Sequence, residues 1–264
     1  VSLSTSGSSG NATVVNASGL DLGASTVAGN LSITSGGAVT DSGTLTITGT
    51  TTITATGYDV TLDEAANAFT GAVGITGANV EVVGVIDLGT STVSGTYKIT
   101  GGNDVTDSGT LTITGDTTIS APSYDVTLDE AASDFTGTVS IDGYAVEVTT
   151  VGAIDLGAST VLGTYKITAG GAVTDSGNLT ITGAATFITG ATGSNIVLDS
   201  SGNAFAAAVT MQADAGDEAF GNITFVDSAA IDFATSAGSN GDLYINASTD
   251  GAVGGNLSVT ATTG

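Results

Sequence analysis

YDVTLDEAANAFTG, residues 58–71, returns almost unchanged as YDVTLDEAASDFTG at 124–137. The stretch opens with strict alternation. Val60 and Leu62 fall on one side, and Asp59, Thr61 and Asp63 on the other, which is the signature of a strand with one buried face. DEAANAF is too short to sustain a helix and runs into Thr-Gly, so it reads as a turn or a single helical corner. Phe69 and Phe135 then lead the chain back to a core. Each copy is one strand, one corner and one return.

The pair belongs to a longer period. DLGASTV starts at Asp21 and Asp155, and DLGTSTV at Asp87, giving intervals of 66 and 68 residues. VTDSGTLTITG at Val39 and Val105, and VTDSGNLTITG at Val173, repeat those intervals. A third, worn copy of the opening stretch, SNIVLDSSGNAFAA from Ser194, keeps Leu198, Asp199 and Phe205. Inside each long repeat, short apolar–polar–apolar segments end in Gly: LTITG at Leu45, Leu111 and Leu179, VGITG at Val73, VSIDG at Val139. Cuts at 30–49, 50–71 and 72–95 give units of 20, 22 and 24 residues. None of these can bury its apolar face alone, but stacked coils bury a common core and pair their strands along the axis. The expected fold is therefore all-β: a right-handed parallel β-helix (β-solenoid) of roughly 11 coils of ~20–26 residues, with a three-coil superrepeat of 66–68 residues. Residues 1–264 read as a single continuous solenoid segment of a longer chain or filament, regular over about 21–207 and less regular over 208–264.

Composition narrows the function. Twenty-six acidic residues face two lysines, Lys98 and Lys166, for a net charge of -24, with no His and no Cys. Two cations cannot neutralise a phosphate backbone, so nucleic acid is not an expected partner. Anionic membrane surfaces repel such a chain, and no apolar run reaches the ~18–20 residues of a membrane helix. Nucleophilic triads need His or Cys, so that chemistry is absent. The charge is expected to be spaced: equivalent Asp residues recurring every third coil would lie about 14 Å apart, beyond the ~8 Å screening length.

IDLGASTVLGTYKITAGGAVTDSGNLTITG (154–183) and YDVTLDEAANAFTGAVGITG (58–77) resemble the repeats of filamentous haemagglutinin-like β-strand-repeat exoproteins of bacteria. The resemblance covers about residues 20–210. It implies a right-handed β-helix shaft at or beyond the cell surface, used in adhesion, biofilm or fibre formation. Host or matrix glycans or proteins are partners in keeping with that role; copies of the chain or flanking repeats are expected as partners on another ground, because no cap is legible over the strand edges at either end.

No catalytic or cofactor-binding residue is expected. The adjacent pairs Asp63/Glu64 and Asp129/Glu130 alternate to opposite sides, unlike the facing carboxylates of a glycosidase or polysaccharide lyase, and read as solvated turn residues. For metal, calcium has one candidate ligand set: DAGDEAF gathers Asp214, Asp217 and Glu218 in the least regular coil, without an EF-hand loop or a GGxGxD repeat. Loosely held counterions are the alternative there. An ice-binding face would need the same Thr pair in every coil, whereas TLTIT recurs every third. Non-enzymatic shaft is thus the leading expectation, with a calcium-stabilised surface-layer or biofilm-matrix protein next, then a β-helix lyase and an ice-binding solenoid.

Overall fold

The computed structural model describes residues 1–7, 10–213 and 221–228, and the backbone of Leu257–Ala261. Over these residues the chain is a parallel β-solenoid of about ten turns, consistent with a right-handed β-helix. At about 4.8 Å per turn that is a rod roughly 50 Å long.

Three strands make one turn. Ala12–Asn16 opens the first face, Leu20–Leu22 the second and Ser25–Val27 the third. Leu31–Ser35, Val39–Asp41 and Leu45–Ile47 then lie on them in parallel, residue for residue: Ala12 on Leu31, Leu20 on Val39, Ser25 on Leu45. The rule continues upward. Two long strands, Val80–Leu88 and Tyr97–Asp107, each wrap a corner and serve two faces. The first turns at Gly84, whose φ of 138° suits glycine and whose missing side chain leaves room for the Asn67 carbonyl.

The sequence dictates which way each strand faces. In Leu45–Ile47 the two apolar side chains are buried and Thr46 between them is exposed; Val60 and Leu62 are buried while Asp59 is exposed. The core is one continuous column, mainly of Leu, Ile and Val with Phe69, Tyr97 and Phe135 among them, and it is richest in aromatics toward the carboxyl side. There Tyr165 meets Phe187 edge-on at 5.8 Å, and Phe187 meets Phe205 at 6.1 Å. Each fully buried Leu or Ile is worth about 1.5–3 kcal/mol. Glycine permits the tightest stacking. A Cβ on Gly49 would come within 2.6 Å of the Gly29 backbone, and one on Gly71 within 2.6 Å of Gly49.

The long repeat does not close on three coils. Counting the two wrapped strands as two segments each, ten strand segments separate Ala12–Asn16 from its equivalent at Val80, and ten more separate that from Val146–Thr150. Ten segments on three faces make three and a third turns, about 16 Å of axis. The first of these three strands lies on the first face, the second on the second, the third on the third. The apparent 24-residue coil at 72–95 in fact holds four strand segments. The shortest coils here, from Val73 to Leu88 and from Thr76 to Thr92, span only 15 and 16 residues, below the expected range; the longest reach 27 (Ile196 to Ile223) and 34 (Ile223 to Leu257).

Candidate functional site

Many polar side chains of this rod tie its corners together. Asx side chains there accept the backbone N–H of the coil above: Asn11 from Asn30 at 2.8 Å, Asp59 from Asn79 at 3.1 Å, Asp116 from Thr138 at 3.0 Å, Asp142 from Thr160 at 3.0 Å. Asp104 accepts from Asp125, and Asp125 from Ala145, each at 3.1 Å. Asp104 and Asp125 therefore stand in consecutive coils, which corrects the expectation that like charges avoid neighbouring rungs. The backbone N–H each carboxylate receives offsets the repulsion.

A second set of carboxylates is buried. Asp41, Asp107 and Asp175 are the Asp of VTDSG in the three repeats. Asp41 accepts the Asp63 N–H at 3.0 Å through Oδ1 and the Asn67 side-chain amide at 2.6 Å through Oδ2; Asn67 Oδ1 in turn accepts the Leu45 N–H at 2.8 Å. Asp175 repeats this with Asp199, Asn203 and Leu179 at 2.8, 2.6 and 2.8 Å. The middle repeat departs from it. Its AASDF has Ser133 where the others have Asn. Ser133 Oγ still accepts the Leu111 N–H at 3.0 Å, but it does not reach Asp107, whose Oδ2 is buried with no partner. Burial pushes the Asp107 carboxyl up to about 6; the N–H groups of Asp129 and Glu130 pull it down, and the negative charges of those residues add to the rise.

A folded-state pKa above the ordinary ~3.9 means that ionisation of Asp107 opposes folding. That cost is absent below about pH 4 and complete above about pH 6. Restoring the amide with Ser133→Asn should therefore stabilise the chain by about 1–2 kcal/mol at neutral pH and by almost nothing near pH 4. Asp107→Asn, which removes the charge and keeps the acceptor for Asp129, should show the same pH dependence. Urea midpoints across this window check it, and a gain that does not change with pH would refute it.

The two lysines point outward and pair with the coil below: Lys98 with Glu81 at 2.6 Å and Lys166 with Glu147 at 2.7 Å. All four side chains are partly exposed, so each pair contributes at most about 1 kcal/mol. Asp63/Glu64 and Asp129/Glu130 lead into turns, as expected; the Asn67 N–H closes on the Glu64 carbonyl at 3.0 Å. Asp214, Asp217 and Glu218 lie outside the described residues, and among the described residues no three Asp or Glu side chains gather as a metal set. Threonines fall closer together than the sequence suggested. Thr34, Thr54, Thr76, Thr92 and Thr112 follow one another up the first face, drawn from five different strands. Beside them Gly74 interrupts the column begun by Ser32 and Thr52, so this is a single file of hydroxyls and not a paired array.

Sequence reasoning missed the buried Asp–Asn network. Its signal was present: Asn67 and Asn203 occupy the same place in a stretch otherwise worn between copies.

Fold and polar groups together define a repetitive solenoid scaffold whose carboxylates serve largely to tie one coil to the next. The chain belongs to the family described as repeats of unknown function (DUF5649), whose model matches three times in tandem, at residues 9–76, 77–142 and 143–212. Each match opens three residues before the strand that begins a ten-segment repeat, at Ala12, Val80 and Val146. No curated protein and no solved structure matches the chain.

Proposed function

We propose that the chain is a shaft segment of an extracellular bacterial fibre or adhesin, working mechanically as a stiff spacer and not as an enzyme. One observation carries this reading: parallel strand ladders on three faces surround one apolar core, and the repeat junctions fall within them. Axial hydrogen bonds and a continuous core resist both stretching and bending. Because successive repeats begin on the first, second and third faces, a fourth would begin on the first again. Further coils, of the same chain or of a second copy, would add without refitting. The resemblance of the repeats to filamentous haemagglutinin-like exoproteins supports the cell-surface setting.

The test is additive length. A chain with residues 77–142 duplicated in tandem should lengthen by about 16 Å in small-angle scattering, at constant cross-section and without loss of melting temperature. A thicker particle or an unchanged length would refute the spacer. Antibodies against the purified chain should label intact source cells; labelling only after lysis would refute the location.

A further inference from the structure

Exposed large apolar side chains are few among the described residues, and three of them share one corner. Tyr124, Tyr144 and Leu162 are 37, 54 and 51% exposed and lie in three consecutive coils, where the second face turns into the third. The backbone stacks them. The Tyr144 N–H meets the Tyr124 carbonyl at 2.7 Å, and the Gly163 N–H meets the Tyr144 carbonyl at 2.5 Å. Pro122, the only proline, is exposed in the same coil as Tyr124. The result is an apolar ridge about 10 Å long. A shallow depression lined by Pro122, Asp142, Thr160 and Leu162 runs along one side, and another holding Asp125, Glu147 and Lys166 along the other.

This ridge is where the chain breaks its own repeat. Tyr144 stands where the other repeats have Gly10 and Ala78. Leu162 stands where they have Ala28 and Ser94, and Pro122 where they have Thr56 and Thr192. At these three positions the sister corners carry small or polar residues, so the coil does not need the large ones; Tyr124 alone has a large counterpart, Tyr58. Three apolar replacements, independent in sequence, converge on one exposed strip.

We propose that this corner is a docking site for a basic segment of a partner protein, one that alternates Lys or Arg with apolar residues. Charge complementarity selects that occupant. Asp125, Asp142 and Glu147 flank the ridge, Lys166 is already paired with Glu147, and the chain carries -24 overall. A second copy of this chain, or an anionic glycan, would be repelled. A basic segment gains at long range from the field and at contact from the carboxylates. Tyrosine faces accept Lys and Arg as cation–π partners, while Pro122 and Leu162 take the apolar residues between them. The inference does not depend on the rod being part of a fibre.

The test uses the whole chain and a synthetic peptide of alternating Leu and Lys, with a Gly–Lys peptide of equal charge as control, measured by calorimetry at physiological salt. The Leu–Lys peptide should bind more tightly than the control. The double variant Tyr144→Ala, Leu162→Ser, which installs residues the sister repeats already tolerate, should weaken binding about tenfold. Tyr58→Ala, which removes the first repeat's counterpart of Tyr124, should leave it unchanged. Equal affinity of the double variant would mean diffuse charge attraction only and would overturn the proposal. Binding of a neutral β-glucan oligosaccharide that is lost in the double variant, with no corner-dependent peptide binding, would assign the ridge to sugars instead.

Discussion

Leu45→Asp destabilises the chain by about 4 kcal/mol or more, whereas Thr46→Asp, one residue along, costs less than about 0.5. Leu45 is fully buried on the third face, its strand stacked between Ser25–Val27 and Ala68–Phe69. Aspartate there both removes a core side chain and buries a carboxylate away from any cation. Thr46 points to solvent, with Thr26 and Ala68 as its in-register neighbours, so a new charge there stays hydrated. Because each coil contacts only its neighbours, the damage should be local. Hydrogen exchange should accelerate in the coils around residue 45 before it does near residue 180. Equal shifts of the urea midpoint for the two variants would show that the assignment of faces is wrong.

Asn203→Ala should cost about 3 kcal/mol. Asn203 is completely buried, and its amide holds Asp175 while its carbonyl holds the Leu179 N–H. Alanine leaves the Leu179 N–H without its partner and removes the shortest bond to the buried Asp175 carboxylate, which keeps only the Asp199 and Ser200 N–H groups and has no cation nearby. Asn203→Ser should cost less, because the middle repeat shows that a serine there still accepts the backbone N–H. It should also leave Asp175 Oδ2 with only the longer bond from the Ser200 N–H, since a serine there does not reach the carboxylate, as Ser133 beside Asp107 shows. Were Asn203→Ala no worse than Thr46→Asp, the network would have no part in holding the coils together.

Alternation was legible throughout: the inward residues of LTI and VTL follow from period two alone, and so does the outward placement of Lys98 and Lys166. The number of strands per turn was not. Gly-bounded segments count out strands well until one strand bends through a corner without a Gly-Asn or Gly-Asp break, as Val80–Leu88 does at Gly84. Four strand segments then look like one long coil. The buried carboxylates were hidden for a different reason. Asp in VTDSG looks like a turn residue, and only the distant Asn, 26 residues on at Asn67 and 28 on at Asn203, makes its burial tolerable. Calcium ligation by Asp214, Asp217 and Glu218 falls outside the described residues.

The mismatch between ten strand segments and three sides turns copy number into a compass. Near-identical units invite unequal recombination, which adds or deletes whole copies. Each copy gained raises everything beyond it by about 16 Å and swings it through a third of a revolution. Only a change of three copies restores the original bearing. A feature unique to one copy, such as the Tyr144 ridge, therefore turns to a different bearing each time a unit is inserted below it, and the same genetic step that sets the length of the rod also sets which way the ridge looks.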